Sequence, residues 1–305
     1  MSLHPGLNLF IDFHSPRFQK RILSVQNIHP KNCSKMSTPE IKDPRFATTL
    51  AKGISILRAF KPHDNGLTNL ELSRKTGLPK SSVSRLTFTL QALGYLSHSS
   101  RDNRYRLGPA VVALGNIASA SMSFSSLAES IMPNLANDTR CLVAMGVRDQ
   151  GKVLLVKTWR PERVSSLWLD AGFRLPLAKS SHGQAIMAAY SDDEFDKLLD
   201  SLNLDFDQNA LQTLRTQTKN QLSDRGFYIA PTEHRFTDRI NAVSVPFRSL
   251  DLDDPVVFLC SGEPHQLSEE RMVIEVGPKL RDAVQLIYKS SGMGMRSAFD
   301  EFYGD

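Results

Sequence analysis

The sequence has few cysteines, no long apolar run and no signal-like start. Its 305 residues include 3 cysteines, and Cys33, Cys141 and Cys260 form no pair at the spacing of a zinc finger or a redox motif. A disulfide framework is therefore not expected, and a reducing compartment is favoured. No run of about 18 apolar residues occurs, which argues against a transmembrane helix. Because the first residues also lack the basic start and apolar stretch of a secretory signal, we expect a cytoplasmic protein with no membrane partner.

Common enzyme motifs are absent too: a G-x-S-x-G elbow, a P-loop, a G-x-G-x-x-G after a strand and an H-E-x-x-H pair. Two weaker combinations remain, His182 with its neighbouring serines and Cys260 with His265, each as a nucleophile and a base. A single cysteine inside an apolar strand is usually an inert core residue. We therefore expect no enzyme, no cofactor and no metal site, and keep a hydrolase or acyltransferase as a minor alternative.

Charge is distributed unevenly along the chain. The net charge of +5 divides into +3 for residues 1–43, +8 for residues 44–108 and −6 for residues 109–305. A small basic segment joined to a larger acidic one indicates that only the small segment meets a polyanion. A solvated charge bias without a partner is the plainer alternative.

Composition and periodicity divide the chain into five parts. The first 43 residues are rich in polar residues and show no sustained period, so we expect a disordered extension, in which Met36 is an alternative translation start. The parts that follow are a basic domain at 44–108, a linker helix at 109–122, a second domain at 123–290 and a flexible tail at 291–305.

Three helices are predicted in residues 44–108. In the first, an apolar face is formed by Leu50, Ile54, Leu57, Ala59 and Phe60. Thr68 and Glu71 have the spacing of a capping box at the start of a second helix, which Gly77 ends by taking the left-handed conformation. Pro79 then suits the first turn of a third helix.

The third helix and the segment after it predict a winged helix-turn-helix. The helix runs from Pro79 to about Leu93, and its inward face is formed by Val83, Leu86, Leu90 and Leu93. After it, Tyr95–Ser97 and Arg104–Leu107 are predicted as two short strands around a polar turn. This pair of strands is the wing.

The outward side of the third helix is suited to double-stranded DNA. A helix that enters the major groove needs small or polar residues on its exposed face and cations near the phosphates. We expect Arg85 to reach base edges or phosphates and Lys80 to contact a phosphate. The other predicted DNA contacts are Ser81, Ser82, Ser84 and Thr89 on the helix, and Arg101, Arg104 and Arg106 on the wing. A winged helix used only for protein contacts is the alternative.

The remainder of the chain predicts an α+β domain behind a connecting helix. Pro109 to Ser121 forms that helix, and two apolar runs, Cys141–Val147 and Val153–Trp159, form a hairpin. Antiparallel strands with helices before and after them give the α+β pattern. The other predicted elements are helices at 125–137, 181–190, 192–201, 209–225 and 268–288, and strands at 227–231, 241–247 and 256–261.

Several motifs together resemble the IclR family of bacterial regulators. They are the run from Gly77 to Leu86 with Thr89-Leu90, Gly94-Tyr95-Leu96, Tyr105-Arg106-Leu107-Gly108, Gly172 to Leu177, Gly183-Gln184-Ala185, Gly226-Phe227, Asn241 to Pro246 and Ser261-Gly262. The resemblance covers about residues 46–288. It implies a homodimer or a dimer of dimers, a palindromic operator, and a GAF-like C-terminal domain that binds a small-molecule effector.

A ligand site is predicted at the start of the helix near residue 181. Free amides there and the helix dipole favour an anion such as a carboxylate, with Ser180, Ser181 and His182 beside it. Simple capping by a serine and packing of His182 is an equally good interpretation. The resemblance adds four strand positions to the site, Ile240, Ala242, Leu259 and Ser261, whose largely apolar character suits an aromatic or other organic acid.

The sequence departs from the family pattern at four positions. Ala178 stands where many members have a histidine, Gln184 where a lysine often occurs, Arg239 at a common glycine position and Ala242 at a common cysteine position. Either the ligand differs or the pocket has lost its function, so a DNA-binding dimer with a ligand-free oligomerisation domain remains an alternative. Arg239 could neutralise a carboxylate, although an exposed loop arginine is the plainer interpretation.

Overall fold

The computed structural model describes residues 43–61, 64–162, 169–201, 207–249 and 251–291. The predictions for the N-terminal extension, for Met36 and Cys33, and for the tail beyond residue 291 lie outside the described residues.

The N-terminal part is a three-helix unit closed by a two-stranded wing. Its core is formed by Ile56, Leu72, Val83 and Leu96, which are fully buried or nearly so. Strands β1 and β2 pair antiparallel, with Leu96 opposite Leu107. The elements are α1 (Thr48–Arg58), α2 (Asn69–Thr76), α3 (Lys80–Ala92), β1 (Leu96–Ser99) and β2 (Arg104–Leu107).

Local sequence signals fix the start and the end of α2. The Thr68 side chain accepts a hydrogen bond from the Glu71 amide, and the Glu71 carboxylate accepts one from the Thr68 amide, so the predicted capping box is confirmed. Gly77 ends the helix with φ of 73°, a left-handed conformation that costs glycine little. Pro79 is the N-cap of α3 rather than its first residue.

The predicted apolar faces of α1 and α3 were partly wrong. Leu50 and Ile54 are 65% and 43% exposed, whereas Ala59 is buried as predicted and Ile56, which was not on the predicted face, is fully buried. Apolar residues occupy more than one side of α1, and the buried side is the one that packs on α3. In α3, Leu93 is 62% exposed because it is the C-cap, where the helix has already ended.

Two helices connect the N-terminal unit to the rest of the chain. Helix α4 (Pro109–Ala120) contains no buried residue, whereas α5 (Phe124–Thr139) buries Phe124, Ala128 and Met132. Within the described residues no single helix has the length and apolar composition of a membrane span; α4 and α5 reach them only together, across a bend of 91°.

The C-terminal domain is built on one six-stranded antiparallel sheet. The strands lie in the order β5-β4-β3-β8-β7-β6, and β8 is the partner of both β3 and β7. The predicted α+β class is therefore confirmed. The strands are β3 (Leu142–Asp149), β4 (Lys152–Trp159), β5 (Arg174–Pro176), β6 (Tyr228–Ile229), β7 (Asn241–Phe247) and β8 (Val256–Gly262).

Helices cover both faces of the sheet. On one face, α5 and the last helix, α9, pack on alternate residues of the central strands, among them Val143, Val243 and Cys260. On the other face, α6 (Ser181–Ala188), α7 (Asp192–Ser201) and α8 (Gln208–Arg225) pack on Val153 and Val257. The single predicted last helix is divided: α9 consists of Glu269–Arg271, a π-helical segment Met272–Val276 and Gly277–Ser290.

An ion cluster joins the N-terminal unit to the sheet. Asp149, at the end of β3, accepts hydrogen bonds from Arg58 of α1 at 2.6 Å and from Arg174 of β5 at 2.8 Å. Burial opposes ionisation of Asp149, but the bond from Arg174 and the charge of Arg58 outweigh it and lower the pKa of the carboxyl group. The cluster therefore links α1 directly to the edge strand β5.

Candidate nucleic-acid interface and ligand cavity

Helix α3 turns a polar, positively charged face to the surface. Val83 and Thr87 are buried against α1 and α2. The residues predicted to contact DNA are accessible: Lys80, Ser81, Ser84, Arg85 and Thr89 are exposed, and Ser82 is half-buried. The helix therefore presents the small side chains and cations that a DNA groove requires.

The three wing arginines differ in their surroundings. Arg101 is exposed at the turn between β1 and β2. Arg104 donates hydrogen bonds to the Gly66 carbonyl oxygen at 2.8 Å and to Glu71 at 3.1 Å, so it braces the wing against the start of α2. Arg106 forms an ion pair with Asp102 at 2.6 Å. Of the three, Arg101 is the one whose side chain is most exposed to an approaching phosphate.

A cavity lies between the start of α6 and the segment that leads into β7. Its free volume is about 40 Å³, enough for a water molecule or two but well below the several hundred Å³ of a typical ligand pocket. Five of the seven predicted effector residues line it: Ser180, Ser181, His182, Ile240 and Ala242. The sequence did not point to its other lining residues, which are Leu169, Leu175, Ala230, Arg235, Phe236 and Thr237.

The start of α6 is held close to the chain before it. Ser180 is the N-cap: its hydroxyl accepts from the Gly183 amide at 3.2 Å and donates to the Pro176 carbonyl oxygen at 2.7 Å. A Cβ at Gly183 would lie 1.9 Å from the Leu177 carbonyl oxygen, so only glycine fits there. The capping interpretation of Ser180 is therefore correct, and the same residue also lines the cavity.

His182 belongs to a buried hydrogen-bonded cluster. Its Nδ1 lies 2.9 Å from the Ser244 hydroxyl and 3.2 Å from the Ser181 hydroxyl, and the two hydroxyls are 3.2 Å apart. Burial lowers the pKa of His182 to about 4. At neutral pH the imidazole is therefore uncharged and forms part of the cavity wall as a polar but neutral group.

The two remaining predicted effector residues lie behind the cavity lining. Leu259 belongs to the apolar cluster that contains Leu169 and Leu175. Ser261 is paired with Ala242 across β7 and β8, and its buried hydroxyl has no hydrogen-bond partner among the described residues. Since paired residues share a face of the sheet, Ser261 lies on the same side as Ala242. It is a free polar group next to the cavity wall.

Arg235 lines the cavity as one member of an ion pair with Glu269. It donates hydrogen bonds to the Ala230 carbonyl oxygen at 2.8 Å, to Asn241 at 2.8 Å and to Glu269 at 2.9 Å. No sequence pattern points to Arg235, because these partners are brought together only by the fold. Arg239, by contrast, is exposed in the loop.

Gln184, one of the departures from the family pattern, is a structural residue. Its amide nitrogen donates to the carbonyl oxygens of Ala178 and His234, and its amide oxygen accepts from the Tyr228 hydroxyl at 2.7 Å. The side chain is fully buried. It therefore fixes the position of α6 relative to the chain that leads into the cavity.

The second enzyme combination finds no support in the geometry. Cys260 is fully buried on the sheet face that α5 and α9 cover, and burial raises the pKa of its thiol well above the ordinary value. His265 is 65% exposed and lies 3.4 Å from Glu263. A thiol so buried is a poor nucleophile. Within the described residues there is also no cluster of three or more His, Cys, Asp or Glu side chains that could hold a metal ion.

A winged helix with an exposed basic face, joined to a sheet domain with a small cavity, is the architecture of a transcriptional regulator. Two family models match the chain: the IclR helix-turn-helix domain over residues 49–100, and the bacterial transcriptional regulator IclR C-terminal domain over residues 118–288. The HTH-type transcriptional regulator TsaQ1/TsaQ2 of Comamonas testosteroni is 30% identical over 240 residues, which are 78% of this chain and 86% of that protein.

Solved structures agree with these matches. An IclR family transcriptional regulator from Brucella abortus aligns with a TM-score of 0.64 and 31% identity over 83% of this chain and 95% of its own. An IclR homolog from Microbacterium hydrocarbonoxydans, complexed with 4-hydroxybenzoate, has the same fold, with a TM-score of 0.59 and 18% identity over 78% of this chain and 99% of its own. The chain belongs to the IclR family of DNA-binding transcriptional regulators, a family whose members are generally not enzymes.

Proposed function

We propose that this regulator binds a palindromic operator in the cytoplasm as a homodimer, inserting α3 of each chain into the major groove. The observation that carries the proposal is the exposed surface of α3, where Lys80, Ser81, Ser84 and Arg85 are accessible while Val83 is buried. Arg85 is placed to reach base edges, and Lys80 lies in the first turn, where the chain approaches the phosphates.

Titration of the promoter region in a gel-shift assay tests the role of α3. Arg85→Ala should weaken operator binding at least about fivefold, because a guanidinium contact to a base is worth about 1–3 kcal/mol. Lys197→Ala removes the same charge from an exposed position of α7 and is the matched control. Equal affinity of Arg85→Ala and the wild-type protein would remove α3 from the interface.

We also propose that the effector is an organic acid with an apolar or aromatic body. The cavity combines apolar walls, including Leu175 and Ile240, with the polar side chains of Ser181 and Arg235. These groups suit an anionic end and an apolar remainder. That a family member of the same fold is complexed with 4-hydroxybenzoate is in keeping with this class of ligand.

The cavity is smaller than such a ligand, so its walls have to move apart for the ligand to bind. Thermal unfolding with benzoate, 4-hydroxybenzoate, acetate and benzyl alcohol tests the class of ligand, since a ligand confined to the folded state raises the Tm. We expect a rise with the aromatic acids that is lost in Ala242→Leu, which fills the cavity. No rise with any organic acid would favour the alternative of a ligand-free oligomerisation domain.

The homodimer is proposed from the bare surface of α4. Val112, Leu114 and Ile117 are 61%, 53% and 67% exposed, and no residue of this helix is buried. An apolar helix of this kind is typical of an interface between two chains. Light scattering of Ile117→Glu should give the mass of a smaller assembly than the wild-type protein, whereas Ile274→Glu, at an equally exposed apolar position of α9, should not change it.

A further inference from the structure

Phe88 is an aromatic side chain on the surface of the recognition helix α3. It is 72% exposed, which is the highest value for any large apolar residue in the described part of the chain. The core of the N-terminal unit is formed without it. Its exposure therefore does not come from a core that is incompletely packed.

The position of Phe88 places it on the face that we assign to DNA. In a helix of 3.6 residues per turn, residues seven apart and three apart lie on the same side. Phe88 thus lies in line with Ser81 and beside Arg85. Around the helix axis it lies about 140° from Val83 and about 100° from Thr87, and both of these residues are buried.

The charge around Phe88 favours nucleic acid as the molecule that covers it. Residues 44–108 carry +8, so two such units packed face to face through α3 would repel each other. A DNA groove offers the opposite charge, and it also offers one apolar group for Phe88 to contact. That group is the C5-methyl of thymine, which projects into the major groove and is read by apolar side chains including phenylalanine.

We infer that Phe88 is a specificity-determining residue that packs on a thymine methyl group in each operator half-site. The inference rests on the proposed entry of α3 into the major groove. Ser81 and Phe88 are seven residues apart, about 10 Å along the helix axis. The thymine should therefore lie within about three base pairs of the bases next to Ser81.

Parallel selection from a randomised duplex library with the full-length wild-type protein and Phe88→Ala tests the inference. The wild-type protein should select thymine at one position of each half-site, and Phe88→Ala should select any base there. In the selected duplex, replacing that thymine by deoxyuridine removes only the methyl group. This should weaken wild-type binding about fourfold per half-site, as expected for loss of one buried methyl group, and should leave binding by Phe88→Ala unchanged.

Leu93→Ala is the control, because Leu93 is 62% exposed at the end of the same helix but lies off the Ser81–Phe88 line. It should keep both the thymine preference and the fourfold effect. Circular dichroism establishes that each variant is folded. If Phe88→Ala keeps the preference and the deoxyuridine effect, or weakens binding to all duplexes equally, the inference is overturned. The DNA-binding role of α3 would still stand in either case, because the Arg85→Ala titration tests it separately.

Discussion

His182 is an ionisable side chain held neutral inside the protein. Its pKa of about 4 lies below the ordinary value of 6.5 because burial disfavours the charged form. Between these two values the unfolded chain binds a proton that the folded chain does not, so stability rises with pH. The contribution is fully present above about pH 6.5 and is lost as the pH falls towards 4.

Acidification should therefore destabilise the protein through His182. Lowering the pH from 7 to 5 should reduce the free energy of unfolding by about 2 kcal/mol at this residue. His182→Gln keeps a polar side chain but cannot titrate, so its urea midpoint should change less over the same range. The pKa of Glu194 is lowered to about 2 by its hydrogen bonds with Arg248, and its effect therefore falls mainly below pH 5. Equal losses in both proteins would contradict the assignment to His182.

At the scale of elements, the two wing arginines are expected to differ in role. Arg104 should contribute to the stability of the fold, and Arg101 should contribute to DNA binding. Arg104 braces β2 against the start of α2 through Gly66 and Glu71. Its side chain is 34% exposed, so solvent screens the ion pair and Arg104→Ala should cost only about 1 kcal/mol of unfolding free energy.

Arg101→Ala should have the converse effect, since Arg101 is exposed at the turn of the wing. We expect weaker operator binding with a smaller dependence on salt, because one phosphate contact is lost, and an unchanged Tm. A salt titration of binding and a thermal melt of each variant measure the two effects. An Arg101→Ala protein with a lower Tm and the wild-type salt dependence would assign the residue to the fold instead.

Elements whose boundaries depend on residues close together in the chain were predictable from the sequence. Contacts between residues far apart in the chain were not. The capping box at Thr68 and the strand Asn241–Phe247 depend on residues close together in the chain, and both are confirmed. The face of α1 depends on which side packs against α3, so Leu50 was wrongly placed inside. The cavity followed the same rule: the helix start at Ser180 was predicted, whereas the Arg235 side of the wall was not.

At the scale of the whole molecule, Asp149 forms ion pairs that connect the N-terminal unit to the C-terminal domain. It holds Arg58 of α1 and Arg174 of β5, and the next residue of β5, Leu175, lines the cavity. A ligand that moved β5 would therefore disturb a contact of the DNA-binding unit. Regulation requires that the ligand bind two arrangements of the protein with different affinity, since a ligand that binds both equally shifts no equilibrium.

Asp149→Asn should therefore weaken communication between the cavity and DNA. We expect the change in operator affinity on adding effector to shrink about fivefold or more, within the usual range of coupling between sites. Fluorescence anisotropy with and without a ligand identified by thermal shift measures this change. Asp193→Asn, at an exposed position of α7, is the matched control. A variant that keeps the full response would exclude the ion cluster as a link.

The bare surface of α4 has a consequence for the amount of protein that a cell makes. In the proposed homodimer two chains have to meet to cover this helix, so the concentration of the DNA-binding species would rise as the square of the chain concentration when chains are scarce. A twofold rise in synthesis would then give about a fourfold rise in that species by mass action. A modest change in expression of the regulator would be felt more steeply at its target promoters.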